Sequence, residues 1–142
     1  MKISARNVFK GTISRLEPGA VNAEVEVDVG GGNRLVAMVT SASVRSLGLA
    51  VGKPVVALVK SSSILILVEG DGVQLTARNR LDGTVTQITD GAVEAGVSIA
   101  LAGGVTVHAV ITHESVLALG LKVGGRASAV FKASAVILGT SA

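Results

Sequence analysis

Cysteine, tryptophan and tyrosine are absent from this 142-residue chain, and it has only two each of phenylalanine, proline, methionine and histidine. Without thiolates it cannot build a Cys-rich zinc site, an iron–sulfur cluster or a disulfide framework, and it is compatible with a reducing compartment. Phe9 and Phe131 are the only rings on which a base could stack, which disfavours single-stranded nucleic acid as a partner. Long apolar runs are also missing. The longest are about five residues, such as Ile64 to Val68, against the roughly 20 needed to cross a bilayer, so no membrane partner is expected. Arg6 and Asn7 stand where a secretory signal would need its apolar stretch, so the chain reads as cytoplasmic.

Thirteen Lys and Arg against ten Asp and Glu give a net charge of +3, with the basic residues scattered. That pattern biases the protein toward small anions and is not the footprint of a polyanion binder. The 49% hydrophobic content is ample for a packed core.

What the sequence does have is a repeat. At an offset of 72, residues 4–67 align with 76–139 without a gap, and 24 of those 64 positions are identical. Ser4-Ala5-Arg6-Asn7 returns as Thr76-Ala77-Arg78-Asn79, Gly19-Ala20-Val21 as Gly91-Ala92-Val93, Leu47-Gly48-Leu49 as Leu119-Gly120-Leu121, and Lys60 with Ser62 as Lys132 with Ser134. The stretch Val68 to Val73, with two glycines and two acids, is the natural junction. It divides the chain into a first unit, 1–69, and a second, 70–142.

Within the first unit, Val21 to Val29 has apolar residues at every odd position, the mark of a half-buried strand. Gly30-Gly31-Gly32-Asn33 suits a hairpin turn into a strand over Leu35 to Val39, and Val8 to Leu16 forms a strand upstream. Thr40 before and Gly48 after residues 41–47 cap a short helix, as Thr112 and Gly120 do in the second copy. Val55 to Val59 and Ile64 to Val68 supply two more strands. The order strand, strand, strand, helix, strand, strand predicts an all-β-dominated fold: two tandem OB-fold units, each a five-stranded Greek-key barrel with one short helix.

Catalytic chemistry finds little support, and the chain is read as a non-enzyme. His108 and His113 occur only in the second copy. His113 is expected to be solvated in the first helical turn, and His108, opposite Val36, to be a tolerated substitution. Glu24, Glu26 and Asp28 read as a solvated face, with Gly96, Ser98 and Ala100 as their counterparts. Gly48 to Pro54 has neither the glycine spacing of a phosphate loop nor its magnesium-binding hydroxyl.

Repeated donors carry the functional reading. Ser4, Arg6 and Asn7, with Lys60, Ser61 and Ser62, return as Thr76, Arg78 and Asn79, with Lys132, Ala133 and Ser134. Hydroxyls, cationic groups and backbone N–H groups are what hold a small oxyanion, through charge-assisted hydrogen bonds. An OB-type nucleic-acid or oligosaccharide binder is the alternative.

These same segments, with the Gly19 to Val25 strand and the helix ending Leu-Gly-Leu, resemble the Mop domain of molbindins, small molybdate-binding proteins. Two such units resemble the di-Mop arrangement. The resemblance implies OB folds, a homotrimer, and molybdate or tungstate held at interfaces between domains, without redox change or organic cofactor, for molybdenum storage or homeostasis. One class of site would be formed by Ser4, Ala5, Arg6 and Asn7, or Thr76, Ala77, Arg78 and Asn79. These would face Lys60, Ser61 and Ser62, or Lys132, Ala133 and Ser134, of a neighbouring unit. A second class would use Gly19, Ala20, Val21 and Asn22 and their copy Gly91, Ala92 and Val93. No side chain would ligate the metal directly. Glu94 in place of Asn22 would repel a dianion there, and Ala133 in place of Ser61 removes a hydroxyl.

Overall fold

The computed structural model describes residues 1–141. The first repeat forms β1 (Asn7–Glu17), β2 (Asn22–Gly30), β3 (Asn33–Thr40), α1 (Ser41–Leu47), β4 (Pro54–Val59) and β5 (Leu65–Leu67). The second forms β6 (Asn79–Asp90), β7 (Glu94–Ala100), β8 (Thr106–Thr112), α2 (His113–Leu119), β9 (Arg126–Phe131) and β10 (Val136–Gly139). In β2, Ala23, Val25 and Val27 are buried while Glu24 and Glu26 lie half-buried on the other face. The period-two pattern thus turns its apolar row into the core. Both helices are capped as expected: the Thr40 and Thr112 hydroxyls each accept from a backbone N–H at 3.1 Å, and Gly48 and Gly120 close them in the left-handed region. The loops after β4 and β9 tighten into single 3-10 turns, Ser61–Ser63 and Ala133–Ala135.

The order of strands in each sheet departs from a simple tandem arrangement. The sheets run β10-β4-β1-β2-β3 and β5-β9-β6-β7-β8, so each barrel takes its fifth strand from the other repeat. Val136 to Gly139 pair antiparallel with Val59 to Val56, and Leu65 to Leu67 with Val130 to Ser128. The repeat boundary near residue 70 is therefore not the boundary of either sheet. Burial patterning states which face of a strand is covered but not which neighbour covers its edge, so the exchange leaves no trace in it.

A single hydrophobic cluster runs through both barrels, with Ile13, Leu35, Ile64, Ile99 and Phe131 fully buried. Two further contacts lock them together in a two-fold pattern. The Asn7 Nδ2 donates to the His108 carbonyl at 2.8 Å while its Oδ1 accepts from the His108 N–H at 2.7 Å. Asn79 does the same to Val36, with both bonds 2.8 Å long. Each carboxamide acts as a spare peptide group on the edge of the other barrel's strand, and each asparagine is 1% exposed. The tips of the β2–β3 and β7–β8 turns also meet back to back. A Cβ on Gly31 would fall 2.4 Å from the Ala102 carbonyl oxygen, and one on Gly103 would lie 2.5 Å from the Gly31 Cα. Gly31 and Gly103 occupy equivalent positions of the repeat, and both have positive φ.

Candidate functional site

The strand exchange carries each Lys-Ser/Ala-Ser turn onto the opposite barrel. The turn at Ser61–Ser63 packs against β8, and that at Ala133–Ala135 against β3. Two related grooves result. One, of about 440 Å³, is lined by Arg6 and Ser61 from one side and Gly96, Ser98 and His108 from the other. The second, of about 510 Å³, gathers Thr76, Ala77, Arg78, Lys132, Ala133 and Ser134, with Met38 and Leu65. The entry-strand and turn segments singled out in the sequence thus meet, most completely in the second groove. In the first, Ser4, Lys60 and Ser62 are exposed neighbours in sequence of the lining residues and Ala5 is half-buried.

Asn7 and Asn79 take a different place from that expected. Their carboxamides are spent on the inter-barrel clamps, and the Asn7 Nδ2 also donates to Val59 O at 3.1 Å, so their side chains face backbone rather than a groove. Gly19, Ala20, Val21 and Asn22 lie exposed on the β1–β2 turn, which the start of α1 holds through Ser41 N to Val21 O at 2.8 Å. The equivalent turn, with Gly91, Ala92 and Val93, is tied to α2 through His113 N to Val93 O at 2.9 Å. Val21 and Val93 are 74% and 75% exposed, an apolar side chain at each turn tip. Gly91 and Glu94, with Asp90, close the far end of the Arg6 groove and make that end acidic.

Three readings of single residues change. His108 lines the Arg6 groove, its Nδ1 2.9 Å from Ser98 Oγ, and burial together with the Arg6 guanidinium holds its pKa below the usual imidazole value. His113 is not simply solvated but pairs with Asp90 at 2.5 Å. Glu24 and Glu26 are not an idle solvated face: Glu24 pairs with Arg78 at 2.5 Å and Glu26 with Arg34 at 3.2 Å. The roles of His108 and Met38 were missed because each lies opposite a different residue in the other copy, Val36 and Val110, so the repeat carries no shared signal there.

A further cleft of about 410 Å³ lies where the junction segment folds onto the second barrel, and Arg80 donates there to Val73 O and Gly70 O at 3.0 and 3.2 Å. It anchors the junction. Among the described residues, no group of three or more His, Asp and Glu is placed to hold a metal ion, and no helix is long and apolar enough to cross a membrane.

Comparison with known proteins places both repeats in one family. The TOBE domain model matches residues 3–66 and again 75–138. The molybdenum-pterin-binding protein MopA of Rhodobacter capsulatus is 44% identical over 138 residues, covering 97% of this chain and 52% of that protein. The molybdenum transport protein ModE of Azotobacter vinelandii is 46% identical over 138 residues, covering 97% of this chain and 51% of its own. The chain therefore spans about half the length of these curated relatives. A crystal structure of a protein described as the cytoplasmic molybdate-binding protein ModG, with molybdate bound, matches with 57% identity and a TM-score of 0.96, covering 99% of this chain and 100% of that one. With both of its repeats matched, the chain belongs to the TOBE domain family.

Proposed function

We propose that the protein binds molybdate as an intact tetrahedral dianion in the grooves between its barrels, without redox change or covalent bond. The observation that carries this reading is the end-to-end match to a molybdate-bound ModG, in a chain whose repeated donors converge on inter-barrel grooves. Arg6 and Ser61 supply donors to one groove, and Arg78, Lys132, Ser134 and Thr76 to the other. Backbone N–H groups of the two 3-10 turns add neutral donors. Fixed donors spaced for a large tetrahedron lose geometry on a smaller one, which disfavours sulfate, whereas tungstate, of nearly the same size, competes. The turns at Gly19–Asn22 and Gly91–Glu94 form a second class of site where copies of the chain meet, in a homotrimer, and Glu94 weakens the site at its own end. A cytoplasmic store or buffer of molybdenum is the role that fits such a binder.

Equilibrium dialysis with metal analysis tests this: retention of molybdate and tungstate but not sulfate is expected. Equal retention of sulfate removes the selectivity argument, and retention of none removes binding. Lys132→Ala should weaken the affected sites by about 1.5–3 kcal/mol, the worth of a hydrogen bond to a charged group.

A further inference from the structure

The two grooves share three equivalent pairs of lining positions, Arg6 and Arg78, Ser61 and Ala133, and Val110 and Met38, yet their surroundings differ in charge. Beside Arg78, Glu24 reaches from β2 and pairs with the guanidinium at 2.5 Å. The position equivalent to Glu24 beside Arg6 is Gly96, and among the described residues Arg6 has no ion-pair partner. Other differences point the same way. Ser61, a hydroxyl donor in the Arg6 groove, is matched by Ala133 in the other. Ser98 and His108, which line the Arg6 groove, have Glu26 and Val36 as their counterparts in the repeat, and neither of these lines the Arg78 groove. Asp90 and Glu94 are the carboxylates of the Arg6 groove, the last residue of β6 and the first of β7 on either side of the connecting turn, and among the described residues neither forms an ion pair with Arg6.

We propose that Glu24 is a built-in competitor for the Arg78 groove, its carboxylate holding the guanidinium that an incoming oxyanion needs, so that the Arg6 groove fills first and the Arg78 groove fills only when that pair opens. The proposal rests on the oxyanion-binding reading above and sets its order of filling. A carboxylate and a tetrahedral oxyanion compete for the same charge-assisted donors, and if both stay, the dianion also meets a like charge at close range. A half-exposed ion pair is weak enough to be opened by a dianion, so the groove is delayed rather than abolished.

The repeat provides its own reciprocal test, because each copy shows what the other could carry. Glu24→Gln removes the competing charge and keeps the side-chain shape. Gly96→Glu installs the competitor beside Arg6. A Cβ at Gly96 meets nothing closer than the Thr89 Cβ at 3.9 Å, and its backbone is not in the left-handed region, so the substitution is accommodated. Molybdate titrations of the full chain by isothermal calorimetry should show two classes of groove site in the wild type. Arg6→Ala should remove the tighter class and Arg78→Ala should affect only the weaker one. Glu24→Gln should tighten the weaker class by about tenfold, and Gly96→Glu should weaken the tighter class by a similar factor. With both changes together, the order of Arg6→Ala and Arg78→Ala should reverse. Molybdate binding that is unchanged by either exchange overturns the competitor role and leaves the binding function standing. A wild-type chain that retains no molybdate removes both.

Discussion

Removing the carboxamide of Asn79 separates its role in the scaffold from any role in the site. The side chain is 1% exposed, and both of its hydrogen bonds, to Val36 N and Val36 O, are 2.8 Å long. Asn79→Ala leaves a backbone donor and a backbone acceptor on the edge of β3 without partners. Each such group costs about 1–3 kcal/mol when buried, and the half-buried edge allows water partial access, so the sum is roughly 2–4 kcal/mol. Asn79→Asp keeps the acceptor for Val36 N but sets a carboxylate oxygen against the Val36 carbonyl; it should be at least as damaging at neutral pH and recover in part as the carboxyl protonates in acid. Urea denaturation should show a lower midpoint with an unchanged slope. Molybdate affinity of the folded variant should stay within about threefold of wild type, since the carboxamide faces backbone. A loss below about 0.5 kcal/mol would refute the clamp. Lost affinity with retained stability would instead make this asparagine an anion ligand.

Three further outcomes follow from the same geometry. Gly31→Ala should destabilise the chain by at least about 2 kcal/mol in thermal or urea unfolding, because it adds a Cβ at φ +63° and 2.4 Å from the Ala102 carbonyl oxygen; a neutral effect would mean that the two tips do not touch. His108 has a pKa lowered by burial and by Arg6, so the unfolded chain binds its proton more readily than the folded one. Its contribution is therefore intact above about pH 6.5 and is lost as pH falls through the lower folded value, and His108→Val should flatten that part of the stability–pH profile measured by thermal melting. A fragment of residues 1–72 carries β5 but lacks β10, the strand that completes its own sheet, and sedimentation should show it as an exchanged dimer or larger species; a stable monomer would mean that β5 readily folds back onto β4.

How much of this was legible beforehand depends on whether a feature is local. The caps at Thr40 and Gly48, the alternation along β2 and the glycine turn after it are decided by residues a few positions apart, and the sequence pattern locates all three. The exchange of β5 and β10 is not local: Leu65 to Leu67 satisfy the same apolar pattern on either barrel, and their pairing with β9 is a contact with a strand more than 60 residues away in sequence. The site is divided along the same line. Arg6, Arg78 and Lys132 are visible because the repeat preserves them, but the repeat preserves Asn7 and Asn79 equally well, and these hold the barrels together. Identity between copies therefore marks what the two-fold arrangement needs, in scaffold and donors alike. Glu24 opposite Gly96 and His108 opposite Val36 lie where the copies differ, and those are the positions that make one groove unlike the other. Duplication supplied a symmetric frame in which either groove could change charge while the clamps that position both stayed fixed. The functional differences in such a chain are thus to be sought at the mismatched positions that line its seams.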